Sequence, residues 1–146
     1  MPKSTDMCNK FLALAYKATA WATVADNAAS TPLTNVVTAL HTATLTAATN
    51  SQAENEVAYS NYARQNVARG AGWTVPSDGS CSNAALLQFP QSGATGAVLA
   101  AVSTGTTSSG ATPVWHFGTL NSPITIGAAA SITPQFLANA LVITET

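Results

Sequence analysis

Eight side chains in this sequence titrate where acid–base or metal chemistry can use them. They are the carboxylates Asp6, Asp26, Glu54, Glu56, Asp78 and Glu145, and the imidazoles His41 and His116. Catalysis needs such groups to converge on one reacting centre. Glu54 and Glu56 alternate as strand neighbours do and would share a face, the arrangement of an acid/base pair or of two metal-binding carboxylates. They follow the polar run Thr49-Asn50-Ser51-Gln52 just ahead of a strand, and read instead as a solvated strand entrance. His41 and His116 each lie within a predicted strand beside apolar residues, with no carboxylate or thiolate at ligand spacing. Each reads as a sheet histidine bonded to backbone or to a neighbouring Thr. No metal and no cofactor is expected.

Nucleophilic and phosphate chemistry have no better footing. Serines are many, but no Gly-x-Ser-x-Gly elbow exists. Thr95-Gly96 and the stretch 105–110 carry glycines without the lysine of a phosphate loop. Cys8 and Cys81 stand far apart with no CxxC and no histidine cluster, and in a chain made in the cytoplasm they read as free, buried thiols. Tyr59, Tyr62, Trp73, Trp115 and Phe117 offer an aromatic platform for sugars, but aromatics at strand spacing read first as core. Arg64 is the one charged residue inside a well-patterned strand. It must reach an acidic group across the sheet or sit at a subunit boundary, where a planar guanidinium organises carbonyls or a carboxylate. Nothing in these residues points to an enzyme.

Composition turns the argument toward assembly. Charged residues make up 8% of the 146, with five Lys+Arg, six Asp+Glu and a net charge of -1. Globular domains carry about a quarter. Polarity comes from Thr, Ser, Asn and Gln, a surface that desolvates cheaply against neighbours. The cations Lys3, Lys10, Lys17, Arg64 and Arg69 are too scattered for nucleic acid. The three lysines recur every seven residues, as a solvated helix stripe or a contact with an acidic partner would. Lys17 interrupts the apolar stretch 11–21, so no signal peptide is read there, and no apolar run is long enough to cross a bilayer. No membrane and no nucleic-acid partner is expected.

The elements that would position these groups form one domain, residues 1–146. A helix is predicted over 5–24, capped by Ser4 or Thr5, with Asp6 near the positive end of its dipole. Met7, Phe11, Leu14, Ala18 and Trp21 recur at spacings of four and three on one face, expected to lie on the domain's own sheet; the alternative is a neighbouring subunit. The helix should fade over 23–27, with a turn at Thr31-Pro32. Residues 33–146 read as β. Predicted strands span 36–41, 57–67, 84–89, 97–102, 113–119, 124–126 and 136–144, with a clear turn at Pro76-Ser77-Asp78-Gly79-Ser80. The stretch 103–112 contains only Ser, Thr, Gly and Ala, and reads as an exposed loop or mobile linker. The fold class is mainly β, a single β-sandwich or jelly-roll-like domain with one N-terminal amphipathic helix.

Several stretches together carry a resemblance. They are Ala39-Leu40-His41-Thr42-Ala43, Glu56 leading into Tyr62-Ala63-Arg64-Gln65, Phe89-Pro90, and Val114-Trp115-His116-Phe117-Gly118-Thr119, then Pro123-Ile124-Thr125-Ile126-Gly127. In this order and spacing the chain resembles a family of small tailed-phage virion proteins that includes tail-fibre-like, minor structural and head-decoration proteins. Its connection 44–51 is almost uncharged where members are usually more acidic, and its segment between Trp73 and Leu86 is longer and holds Cys81.

The resemblance implies a non-enzymatic virion component that works by occupying a site. The first expectation it supports is a capsid decoration (cement) protein on the outside of the head lattice. Its partners would be the major capsid protein and further copies of itself, as a homotrimer, and multivalent burial would make it avid. The alternative is a minor tail, fibre-base or connector protein joined to tail proteins, with host-surface binding as a further possibility. The chain lacks a fibrous repeat, and it lacks coiled-coil heptads beyond one helix, which weighs against a fibre shaft.

Overall fold

The computed structural model describes residues 3–21, 24–25 and 32–145. Among them the chain is mainly β with one N-terminal helix and antiparallel sheets, the class the sequence indicates. It forms two compact units, each built from separate stretches of sequence. Unit 1 comprises Met1–Asn35, Val67–Leu87 and Phe136–Thr146; unit 2 comprises Val36–Asn66 and Gln88–Gln135.

Unit 1 holds the helix α1 (Thr5–Lys17). Ser4 is its N-cap, the hydroxyl accepting from the Met7 amide at 3.3 Å, and Asp6 stands in the first turn. The helix ends at Lys17, well short of residue 24. Ala18 takes the left-handed conformation (φ 54°), and the Thr19 amide bonds back to the Ala13 carbonyl, closing the last turn. The fade expected over 23–27 and the turn at 31–32 fall largely outside the described residues.

The buried face of α1 also differs from expectation. Cys8, Leu12 and Tyr16, at i, i+4 and i+8, are sealed, while Met7 and Phe11 are 38% and 41% exposed. Two apolar stripes compete on this helix, and the one that can set Tyr16 edge-on to Trp73, centroids 4.7 Å apart, goes inward. Phe11 packs instead on Trp21 at 5.3 Å, with the Lys10 ammonium 5.8 Å from the indole centroid.

Against the helix lie β3 (Trp73–Thr74) and β4 (Ser80–Asn83), the latter paired with β9 (Val142–Thr144). The three strands form one antiparallel sheet ordered β3-β4-β9. The turn at 76–80 is present: Gly79 has φ +81°, and Asp78 Oδ1 accepts from the Ser80 amide and hydroxyl at 3.0 and 2.6 Å. Asn83 closes the sheet end, its amide donating to the carbonyls of Ala85 and Leu137 while its oxygen accepts from the Leu141 amide. Cys8 and Cys81 are both buried and unbridged, as expected. Lys10 and Lys17 share a face of α1 at their seven-residue spacing while Lys3 precedes the helix, and each has its own partner. Lys3 pairs with Glu145, Lys10 with Asp6 at 3.0 Å, and Lys17 donates to the Trp73 carbonyl.

Unit 2 is organised on β1 (Asn35–His41), buried at every position from Val36 onward. It pairs antiparallel with β6 (Ala97–Gly105), which pairs in turn with β7 (His116–Ile126). With β2 (Gln65–Ala68) the sheet order is β2-β1-β6-β7. A central strand covered on both faces reads as a continuous apolar run, which Val36, Val37, Ala39 and Leu40 supply. The short strands β5 (Leu87–Gln88) and β8 (Gln135–Phe136) pair with each other.

The strand predicted over 57–67 does not form as such. Asn61 adopts φ 72° and the Tyr62 amide bonds the Tyr59 carbonyl, so residues 59–62 turn back and strand structure begins only at Gln65. The turn sets Tyr59 and Tyr62 against each other, centroids 5.3 Å apart, where strand alternation would have separated them. Similarly, 84–89 yields only β5, and 136–144 divides between β8 and β9. The predicted strands 113–119 and 124–126 join as β7, but the register with β6 slips between Leu99 and Ala101, so the expected break survives as a bulge.

Candidate functional site

Arg64 reaches an acid, one of the two outcomes expected of it. Its side chain is 2% exposed, and it grips Glu56 through two parallel hydrogen bonds, Nε to Oε1 at 2.7 Å and Nη2 to Oε2 at 2.8 Å. The remaining donors are all used. Nη2 also donates to the Gly110 carbonyl at 2.8 Å; Nη1 donates to the Thr107 carbonyl at 3.1 Å and to the Thr112 hydroxyl at 3.3 Å. A guanidinium has five N–H groups, and five are matched. The bonds to Glu56 hold the Arg64 pKa above its ordinary value.

Glu56 is therefore no solvated strand entrance. It also accepts from the Tyr62 hydroxyl at 3.0 Å, which accepts in turn from the Leu40 amide at 3.0 Å. Burial, first among the causes, raises the Tyr62 pKa. Glu54 and Glu56 do not share a face: Asn55 between them has φ 52°, which breaks the alternation that would have paired them. Glu54 keeps an exposed side chain and contributes its backbone carbonyl instead.

That carbonyl lies 2.9 Å from His41 Nδ1. A carbonyl only accepts, so Nδ1 carries the proton and Nε2 of the neutral ring accepts from the Ser103 hydroxyl at 2.8 Å. Desolvation, the leading cause, lowers the His41 pKa and favours this neutral ring. Ser103 and His41 make a serine–imidazole pair, but they are 1% and 0% exposed, so no substrate reaches the hydroxyl. His41 is thus a satisfied sheet histidine, as its sequence context indicates.

Gln52 joins the two halves. Its Nε2 donates to the Val37 carbonyl and to Ser103 Oγ, and its Oε1 accepts from the Thr112 hydroxyl at 2.9 Å. Its backbone amide bonds the Thr112 carbonyl. One polar network thus runs from His41 through Ser103, Gln52 and Thr112 to Arg64 and Glu56. It ends at the hydroxyl-rich loop 106–111, whose Thr107 and Gly110 carbonyls Arg64 holds. Gly110 has φ +75°, a conformation a side chain would strain. Of the two readings of 103–112, an exposed loop or a mobile linker, residues 107–111 are an exposed loop, held by Arg64 at the Thr107 and Gly110 carbonyls, while β6 extends three residues into the stretch.

Nothing local in the sequence marks three members of the network, Gln52, Ser103 and Thr112. They sit in runs of similar polar residues, and no local signal separates the one that turns inward. The remaining candidates are dispersed. Asp6 pairs along its helix, Asp78 serves its turn, Glu145 pairs with Lys3, and His116 lies half-buried at the start of β7. Asp26 lies outside the described residues. Among the described residues no group of three or more His, Cys, Asp or Glu is arranged to hold a metal ion. No described helix is long and apolar enough to cross a membrane.

Of the aromatic platform, Trp73 belongs to the core of unit 1, and in unit 2 Tyr59 is buried while Tyr62 stacks on Phe89 at 6.3 Å. Burial pushes the Tyr59 pKa up to about 12, and its hydroxyl donates to the Pro90 carbonyl. Only Trp115 and Phe117 show substantial surface, 36% and 42% exposed. They occupy a region without charge: residues 79–144 contain no Asp, Glu, Lys or Arg. The polar network thus fixes the loop 106–111, which lies within that uncharged stretch.

Residues 13–144 match the family described as podophage GP4 fiber I protein gp80. The chain belongs to that family. It is a phage structural protein, and the match bears out the virion family its motifs indicate, on the fibre side. No curated protein matches the chain. In this fibre-family chain, Glu56, Arg64 and the loop they secure all lie within the matched region.

Proposed function

We propose that the chain is a non-enzymatic structural component of a podophage tail fibre or fibre base, working by occupying a position among other tail proteins. The observation that carries this reading is the fibre family's match over residues 13–144. The chemistry fits it. Among the described candidates for catalysis, Asp6, His41, Glu56, Asp78 and Glu145 are engaged in internal bonds, and the buried Arg64–Glu56 pair fixes a loop. A neutral surface rich in hydroxyls and amides desolvates at low cost, as a subunit permanently in contact with neighbours requires.

The head-decoration reading, with the major capsid protein as partner, draws on the same neutral surface but has no family match of its own. Copy number separates the two. Calibrated mass spectrometry of purified virions, with gold-labelled antibody in electron microscopy, is expected to find a few to a few dozen copies at the tail. Hundreds of copies in a simple ratio to the major capsid protein would return the chain to the head lattice.

A further inference from the structure

The polar network of unit 2 has a direction. A guanidinium only donates, so Thr112 Oγ1 accepts from Arg64 Nη1 at 3.3 Å and its own proton goes elsewhere. That proton is given to Gln52 Oε1 at 2.9 Å. The Val37 carbonyl, which only accepts, fixes the other end of the same amide. Gln52 Nε2 donates to it at 3.2 Å and to Ser103 Oγ at 3.1 Å. Ser103 in turn donates to His41 Nε2 at 2.8 Å, while the Glu54 carbonyl takes the Nδ1 proton on the other side of the ring. Every link therefore donates toward His41, and Nε2 of its neutral ring is the last acceptor in the row.

A proton on Nε2 reverses that last link, and the row cannot turn round to match. His41 and Gln52 then both donate to Ser103 Oγ, and the Ser103 hydroxyl forms no other hydrogen bond among the described residues. Its own proton is left without an acceptor at a residue 1% exposed, which is strongly unfavourable. Turning the Gln52 amide over gives Ser103 an acceptor, but it sets Oε1 against the Val37 carbonyl and Nε2 against Thr112 Oγ1. Thr112 already accepts from Arg64, which has no lone pair to offer, so the stranded proton only moves on to Thr112. There it can escape. Thr112 lies between exposed Ala111 and exposed Pro113, at the end of the loop whose Thr107 and Gly110 carbonyls Arg64 holds. A small outward move brings its hydroxyl to water.

We propose that His41, Ser103, Gln52 and Thr112 form a proton-sensitive latch on the loop 106–111, closed while the His41 ring is neutral and released when it is protonated. Burial opposes the proton; the bond to the Glu54 carbonyl and the Glu56 and Glu54 carboxylates favour it, and the Arg64 charge opposes it. The neighbouring strands β2 and β6 carry no titratable side chain, and Tyr62, bonded to the Leu40 amide, is kept neutral by burial. All members of the latch belong to unit 2, and its action is independent of the fibre reading.

Nitrogen-15 relaxation of the full chain from about pH 7.5 to about pH 4.5, across the ordinary range of histidine, tests the latch, with the His41 ring shifts followed in the same samples. As His41 takes its proton, the order parameters of the amides of residues 107–112 are expected to fall from about 0.85 to below about 0.6, while β1 and β6 stay rigid. Ser103→Ala removes the link that reverses, so His41 should still titrate and the loop should stay fixed. His41→Gln, which takes no such proton, should also keep the loop fixed, and Ser103→Ala carries the test if that variant does not fold. A wild-type loop that stays fixed while His41 titrates, or that is already mobile at neutral pH, overturns the proposal. So does release in Ser103→Ala, which would assign the effect to repulsion between His41 and Arg64. So does a ring that stays neutral until β1 and β6 melt together with the loop.

Discussion

Arg64 and Glu56 meet through two parallel hydrogen bonds of 2.7 and 2.8 Å, and the same guanidinium holds the carbonyls of Thr107 and Gly110. A buried ion pair is a poor source of net stability, because the charges lose hydration. Its value here is geometric: one planar group with five donors fixes the position of a loop that has no apolar residue large enough to anchor it.

Removing one partner exposes that dependence. Glu56→Ala leaves a guanidinium uncompensated in a site where it is 2% exposed, and a loss of about 3 kcal/mol is expected in urea denaturation. Replacing both partners with apolar residues should recover part of the loss, since no charge is then stranded. A double-mutant cycle measures the coupling. Arg64→Lys should fare nearly as badly as an apolar substitution, because one ammonium cannot span the carboxylate and two carbonyls together.

Acid should weaken the fold through His41. Its folded pKa lies below its ordinary value of 6.5, chiefly by desolvation, so the unfolded chain binds the proton more readily. The stability due to the neutral ring is complete above about pH 6.5 and declines as pH falls from there toward the lowered folded pKa. The midpoint of urea denaturation is therefore expected to fall between pH 7 and pH 5. His41→Gln, which cannot take the proton, should flatten that part of the profile whatever its cost at pH 7.

The sequence makes the fold class, β1, the helix N-terminus and the turn at 76–80 legible because each is set locally: by an apolar run, a capping Ser4, or Asp78 beside Gly79. The lone charge in a patterned stretch correctly marks Arg64 as the residue to follow. What escapes is set by tertiary choice. Two asparagines, Asn55 and Asn61, enter the left-handed region and overturn the alternation on which both the Glu54/Glu56 face and the 57–67 strand depend. The helix carries two apolar stripes, and only packing against Trp73 selects Cys8, Leu12 and Tyr16. Gln52 looks like its solvated neighbours, yet it is fully buried because Ser103, Val37 and Thr112 together satisfy its amide.

The thiol of Cys81 should be inert while the protein is folded. It is fully buried, and burial pushes its pKa up to about 12, which leaves a negligible fraction as the reactive thiolate near neutrality. Alkylation with iodoacetamide at pH 8, read residue by residue by mass spectrometry, is expected to leave Cys81 unmodified in native protein and to label it fully in denaturant. Labelling at the rate of a free thiol under native conditions would mean that the β4–β9 pairing around it opens readily.

Gly105, where β6 gives way to the loop, is held by space rather than by backbone conformation. A Cβ there would stand 2.2 Å from Gln52 Oε1 and 2.7 Å from the Pro113 carbonyl oxygen. Gln52 cannot swing aside freely, because its amide is committed to Val37, Ser103 and Thr112. The Pro113 carbonyl is backbone and moves only with its segment. Gly105→Ala is therefore expected to cost about 1–3 kcal/mol as an overpacking substitution. The loss should be concentrated at the Gln52–Thr112 junction, from which Arg64 reaches the loop. Hydrogen exchange gives the decisive reading: the amides of Gln52 and Trp115, bonded to Thr112 and Thr104, should lose protection in the variant, while the helix amides of unit 1 keep theirs.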